Sequence, residues 1–219
     1  MYLKAICIVT FTCAGLVPLA GASTIIQSSG DSLASVPLGF YAPYGTATVY
    51  AVSWTQDSAY SDVSVFANLF TAGGGGTVNY TLTTAIGPST SFAQDGIIQG
   101  TVTTPANPAD VDLFTLPTLA AGTYYLVLDS PIPNTAWQYN FPFASSYTTA
   151  PGVSFDGDQE SQFGAIDSAY TAGSTFSAIG YPVEFSVTGT SSAAPEPGFL
   201  APVGIVMIGL AVWARRKRT

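Results

Sequence analysis

The stretch Asp156-Gly157-Asp158-Gln159-Glu160 places three carboxylates at alternate positions around a glycine. Alternate carboxylates in a loop can converge on a hard cation, since Ca²⁺ accepts several oxygen ligands in a flexible geometry. The stretch departs from an EF-hand loop, with Ser161 at the sixth position and Asp167 at the twelfth. A solvated acidic turn fits the same residues and is the simpler interpretation. A structural Ca²⁺ held by Asp156, Asp158 and Glu160 is thus the one cofactor this sequence suggests, and otherwise none is expected. A second pattern is aromatic. Trp137, Tyr139, Phe141 and Phe143 recur at every second residue, so an extended segment would set them on one face. Such a face can stack on sugar rings, and equally it can close one end of a core. Prolines 131, 133 and 142 around it suggest a loop or an edge strand.

Absent residues remove most other chemistry. The five bases are Lys4, Arg215, Arg216, Lys217 and Arg218, and the chain has no histidine. Ser23 to Ala194 therefore carries 12 acids and no base. That segment cannot neutralise phosphates, so nucleic acid is excluded as a partner. It cannot form an internal salt bridge either. Cys7 and Cys13 lie near the N-terminus, so between Ser23 and Ala194 no thiol, imidazole or amine is available for a catalytic triad, a lysine nucleophile or zinc. Gly73-Gly74-Gly75-Gly76 lacks the lysine of a phosphate loop and reads as a flexible hairpin loop. The remaining enzymatic route is a carboxylate pair, as in glycoside hydrolysis, drawn from Glu160, Glu184 and the aspartates. Acids in strand edges and turns are ordinarily just solvated, so no enzyme is expected.

The two ends are addresses. Lys4 precedes an apolar run closing on Ala20-Gly21-Ala22, the positive start and small-residue ending of a secretory signal peptide cleaved before Ser23. Toward the C-terminus, Phe199 to Ala214 gives 16 uncharged, mostly apolar residues followed directly by Arg215-Arg216-Lys217-Arg218. This reads as a transmembrane helix with its basic cluster on the cytoplasmic side. Pro195-Glu196-Pro197, the apolar helix and the basic cluster, in that order, resemble the PEP-CTERM sorting signal of Gram-negative bacteria. The resemblance implies recognition by exosortase near Pro195, Glu196 and Pro197, and a place at the cell surface or in an extracellular matrix alongside exopolysaccharide. Similar tails occur on some ice-binding proteins. The triplets Thr46-Ala47-Thr48, Thr81-Leu82-Thr83 and Thr101-Val102-Thr103 have no constant spacing, however, and a flat threonine array is not expected.

Between the ends, period-two alternation predicts strands over Thr46–Trp54, Asp62–Phe70, Thr77–Thr83, Val111–Leu116, Tyr124–Asp129 and Val183–Thr188, separated by glycine and proline breakers. No segment has a helical apolar period of useful length. The expected class is all-β, a β-sandwich of jelly-roll or immunoglobulin-like type. The expected layout is a signal peptide at 1–22, an exported domain at 23–192 and a sorting tail at 193–219. Ala109 to Phe114 followed by Leu119 to Leu126 resembles a hairpin found in many secreted bacterial β-sandwiches. That likeness implies that Gly122 turns the chain, that Tyr124 and Leu126 enter the core, and that Leu113 or Phe114 packs opposite. Asp110 and Asp112 share a strand face and either assist the cation at Asp156 to Glu160 or only charge an edge against aggregation. Signal peptidase, exosortase, the membrane and exopolysaccharide are the partners this organisation implies. Mass spectrometry of exported protein is expected to find a mature chain that begins at Ser23, and retained Met1 would contradict the signal-peptide assignment.

Overall fold

Val63, Val65, Ala67 and Leu69 are fully buried, whereas Ser64, Phe66, Asn68 and Phe70 between them are partly exposed. This is the period of a strand with one face on a core, and Phe185–Ser191 repeats it. The computed structural model describes residues 21–29, 32–41, 46–140, 146–163 and 175–191. Among them the first strands are β1 (Ser23–Ser29), β2 (Ser32–Tyr41), β3 (Thr46–Gln56), β4 (Tyr60–Thr71) and β5 (Gly76–Thr83). A single helical turn, α1 (Phe92–Asp95), precedes β6 (Gly96–Thr104), β7 (Ala109–Leu119), β8 (Gly122–Asp129) and β9 (Thr135–Asn140). The series ends with β10 (Ser146–Thr149), β11 (Val153–Phe163), β12 (Ser177–Ile179) and β13 (Phe185–Ser191). The chain is all-β, and all six predicted strands are present. The predicted Val183 makes only an isolated bridge to Tyr139 just ahead of β13. The expected signal peptide through Ala20, the Pro195-Glu196-Pro197 motif, the helix from Phe199 and the cluster Arg215 to Arg218 lie outside the described residues. Among the described residues no helix is long and apolar enough to cross a membrane.

Every strand pairing is antiparallel. One continuous sheet runs β10-β1-β13-β4-β9-β2-β3-β8-β5-β6, with β7 on the other edge of β4 and β11 followed by β12 beyond β3. Strand β2 joins its two arms. Ser32 to Leu38 pairs with β9, and Gly39 to Tyr41 pairs with β3. Ring contacts then bring together strands that are not hydrogen-bonded neighbours. Trp54 of β3 lies 6.2 Å from Phe185 of β13, and Tyr80 of β5 lies 5.1 Å from Phe114 of β7. Tyr147 of β10 stacks on Phe155 of β11 at 3.8 Å. These side chains share one apolar core with Tyr124 and Leu126, as the likeness to secreted β-sandwiches implied, and with Leu113.

Two expected hairpins are connections between the arms. β4 pairs with β7, β9 and β13, whereas β5 pairs with β6 and β8. Gly73 to Gly76 therefore carries the chain from one arm to the other. The segment from Leu119 to Gly122 does the same between β7 and β8, which are not paired with each other either. Turn residues announce a change of direction but not the next strand's partner. Polar side chains fasten both crossings. The Thr71 hydroxyl bonds to those of Thr104 and Thr135 at 2.6 and 2.9 Å. The buried Gln56 amide donates to the carbonyls of Ser58, Leu119 and Ala120 and accepts from the Trp54 indole N–H. The Tyr124 hydroxyl donates to Ala120 O at 2.7 Å.

Gly39 stands where β2 changes partner, with φ at +75°. A Cβ there would sit on the Ser130 carbonyl oxygen, far inside contact distance. Gly39→Ala is expected to cost about 2–5 kcal/mol, from left-handed backbone strain plus a clash with rigid backbone. Gly73→Ala also has a positive φ but meets no atom within 4 Å, and should cost only about 1 kcal/mol. Urea melts of the two variants would measure the difference, and equal losses would show that β2 does not bend under constraint at Gly39.

Candidate functional site

The acidic stretch is part of a strand. Residues Val153 to Phe163 pair along β3, and the register slips between Phe155 and Gly157 so that Asp156 is an extra, bulged residue. Gly157 takes φ +143°, a conformation L side chains rarely adopt. The bulge breaks the two-residue alternation, and it sends the two aspartates to opposite sides. Asp156 is exposed on the outer face. Its Oδ2 accepts from the Thr55 hydroxyl at 2.6 Å and its Oδ1 from the Ser154 hydroxyl at 3.1 Å. Thr55 is in turn bonded to Thr123 at 2.8 Å. Asp158 is buried on the core side, opposite Val52. The expected convergence of Asp156 and Asp158 on one cation is thus not formed. Glu160 pairs in register with Tyr50 and Ser177. Among the described residues no group of three His, Cys, Asp or Glu side chains gathers around a common point.

Asp158 has an unusual environment. Tyr147 donates to its Oδ2 at 3.4 Å, Val183 contributes a backbone hydrogen bond, and its Oδ1 has no partner among the described residues. Burial, which penalises the charged form, outweighs both hydrogen bonds and pushes the carboxyl up to about 7.

Of the aromatic stripe, Trp137 and Tyr139 are described, and both pack on the core. β9 lies between β2 and β4, so it is not an edge strand. Trp137 is fully buried and its indole N–H donates to Glu184 O at 2.7 Å, which leaves no ring face for a sugar. Tyr139 is half-buried and packs against Tyr181 at 5.1 Å. Phe141 lies outside the described residues. Of the two earlier interpretations of this stripe, Trp137 supports the one that closes the core.

A different site emerges where β4 changes neighbours. Along one edge β4 pairs with β13 as far as Ala67 opposite Phe185, and with β9 from Leu69 opposite Trp137. Asn68 sits between the two ladders. Its backbone N–H donates to Glu184 O at 3.0 Å, and the Glu184 N–H donates to Gln138 O at 2.8 Å. Across the other edge, Asn68 pairs with Asp110 of β7. This branch point opens a polar cleft of about 190 Å³ lined by Gln27, Ser28, Asn68, Asp110, Glu184, Phe185 and Ser186. Its wall includes the buried Asn68 Oδ1, an acceptor without a donor among the described residues. Behind Ser28, Asn140 donates to the serine hydroxyl at 3.1 Å while its own Oδ1 has no partner among the described residues. Two carboxylates, two amides and two hydroxyls in so small a space are suited to a neutral polyhydroxylated group or its water. The cleft is below the roughly 300–1,000 Å³ of pockets that engulf a drug-sized ligand. The sequence offers Glu184 as one carboxylate of a candidate catalytic pair and Asp110 as an edge guard, but not the two as neighbours, because their nearness arises from strand order.

No family model matches the chain, and no curated protein matches it.

The raised Asp158 carboxyl sets a pH dependence. Its folded value, about 7, lies above the ordinary 3.8, so the folded state holds a proton that the unfolded chain has released. Stability is full below pH about 4 and falls as pH rises to about 7. Asp158→Asn is expected to flatten this fall and to raise the melting temperature at pH 8 but not at pH 4. Parallel melts across that range test it, and an unchanged slope would refute the assignment.

Proposed function

We propose that this chain is an exported, non-enzymatic β-sandwich protein of the cell envelope or extracellular matrix, with a structural or adhesive role beside exopolysaccharide. The carrying observation is the sequence of the tail: Pro195-Glu196-Pro197, then the apolar run from Phe199 to Ala214, then the four closing bases, opposite a signal-like N-terminus. In this reading signal peptidase removes residues 1–22, the tail anchors a precursor in the inner membrane, and exosortase acts near Pro195. The two arms of the sheet then form the layers of a jelly-roll or immunoglobulin-like sandwich. Ring contacts between non-paired strands support that assignment. So does the Tyr124 hydroxyl closing on Ala120 O, a corner of the kind sandwiches use.

The polar cleft favours a second reading as a carbohydrate-binding module. Amides and carboxylates at Gln27, Asn68, Asp110 and Glu184 offer both donors and acceptors to sugar hydroxyls. Asp110 and Glu184 are also the pair that a less favoured reading, a carboxylate-based glycoside hydrolase, would use.

Immunoblots of membrane and medium fractions test the main proposal. Wild-type protein is expected in the medium, shortened to end near residue 195. A variant with alanines replacing Pro195-Glu196-Pro197 should stay full-length in the membrane. Identical full-length membrane bands for both would overturn it. Retention of the released protein on matrix polysaccharide, lost in Asn68→Ala, would support the binding module, and cleavage of the polymer would transfer the assignment to a hydrolase.

A further inference from the structure

We propose that the outer edge of β6 is a docking edge for a second copy of this chain. This goes beyond the matrix reading and does not depend on it. Among the described residues β6 pairs only with β5, over Gly96 to Thr104, and ends the strand order. A strand paired on one side presents its remaining N–H and C=O groups as a template for another strand.

The other edges are protected in familiar ways. β10 is four residues long and β12 three. β7 carries the exposed Asp110 and Asp112 and a proline at 117. Shortness, charge and proline each discourage pairing. β6 has none of these. It reads Gly-Ile-Ile-Gln-Gly-Thr-Val-Thr-Thr, nine residues without charge or proline. Its one irregularity lies at the start, where the register slips between Ile98 and Gly96, so Ile98 to Thr104 stays regular.

Charge favours a second copy meeting this edge in particular. With 12 acids and no base from Ser23 to Ala194, two copies repel over most approaches. The edge of β6 is a neutral strip, with Gln99, Thr101 and Thr103 exposed. An antiparallel, two-fold pairing centred on Thr101 sets Gln99 opposite Thr103 and Gly100 opposite Val102. Hydroxyl and amide pairs of this kind stabilise facing strands, and no like charges meet.

The test uses the full chain with Cys7 and Cys13 replaced by serine, so that each variant carries a single cysteine. Thr101→Cys would bring two sulfurs within disulfide reach across the two-fold axis. It is expected to give a disulfide-linked dimer on non-reducing gels, whereas Thr115→Cys, exposed on β7, should remain monomeric. Thr101→Asp places like charges face to face and should abolish the dimer seen by light scattering for the wild type, with an unchanged melting temperature showing that the fold survives. Added salt should strengthen the wild-type dimer. Equal cross-linking of both cysteine variants, or a Thr101→Asp protein that stays dimeric, would overturn the proposal. A wild-type monomer whose β6 amides all resist hydrogen exchange would overturn it too, by showing that a segment of the same chain covers the edge.

Discussion

With no base between Ser23 and Ala194, each carboxylate that leaves water has only neutral donors to hold it. The fold meets this constraint in three ways. Asp129, buried, receives the Asn79 amide at 2.6 Å from the strand paired beside it. Asp156 is turned outward by a bulge and held by hydroxyls. Asp158 stays inside, and burial raises its affinity for a proton although the Tyr147 hydroxyl and a backbone hydrogen bond favour the charged form. Ties that other proteins make with ion pairs are made here by threonine and amide side chains, as at Thr71, Thr104, Thr135 and Gln56. Such neutral bonds are little affected by salt, whereas the uncompensated repulsion among the acids is screened by it.

Several strands with one apolar face were legible. Thr46–Trp54, Asp62–Phe70 and Thr77–Thr83 alternate clearly, and the structure extends each by only a residue or two at an end. Strands that carry polar residues inward were not. β9 shows an aromatic alternation in sequence, but it also buries Thr135, Gln138 and Asn140 beside Trp137, and nearby prolines suggest an edge. β11 was hidden because Asp156-Gly157-Asp158 has the composition of a turn, and the bulge that accommodates it requires the neighbouring β3 to be recognised. The cleft was illegible for a related reason. Asn68 follows the pattern of its strand without anomaly, and only the exchange of β13 for β9 along β4 makes its surroundings special.

That exchange also explains why Trp137 and Glu184 matter together. The indole that an aromatic pattern offers to a ligand is instead fixed to the Glu184 carbonyl, which also accepts the Asn68 N–H. The core therefore sets the backbone of the cleft, and Glu184 and Asn68 are held at a stated separation by a residue that never reaches the surface. Truncating Trp137 would act on the cleft through this carbonyl as well as through lost packing.

The placement of β13 has a mechanical meaning. Its first residues, Phe185 and Ser186, line the cleft, and its last, Ser191, is where the described chain leaves the sheet. β1 pairs along one side and β4 along the other, with Ser23 opposite Gly189. A load held in the cleft and resisted beyond Ser191 would run lengthwise through this strand. Ladder hydrogen bonds lie across that direction, so tension would shear both ladders at once and could not peel them one bond at a time.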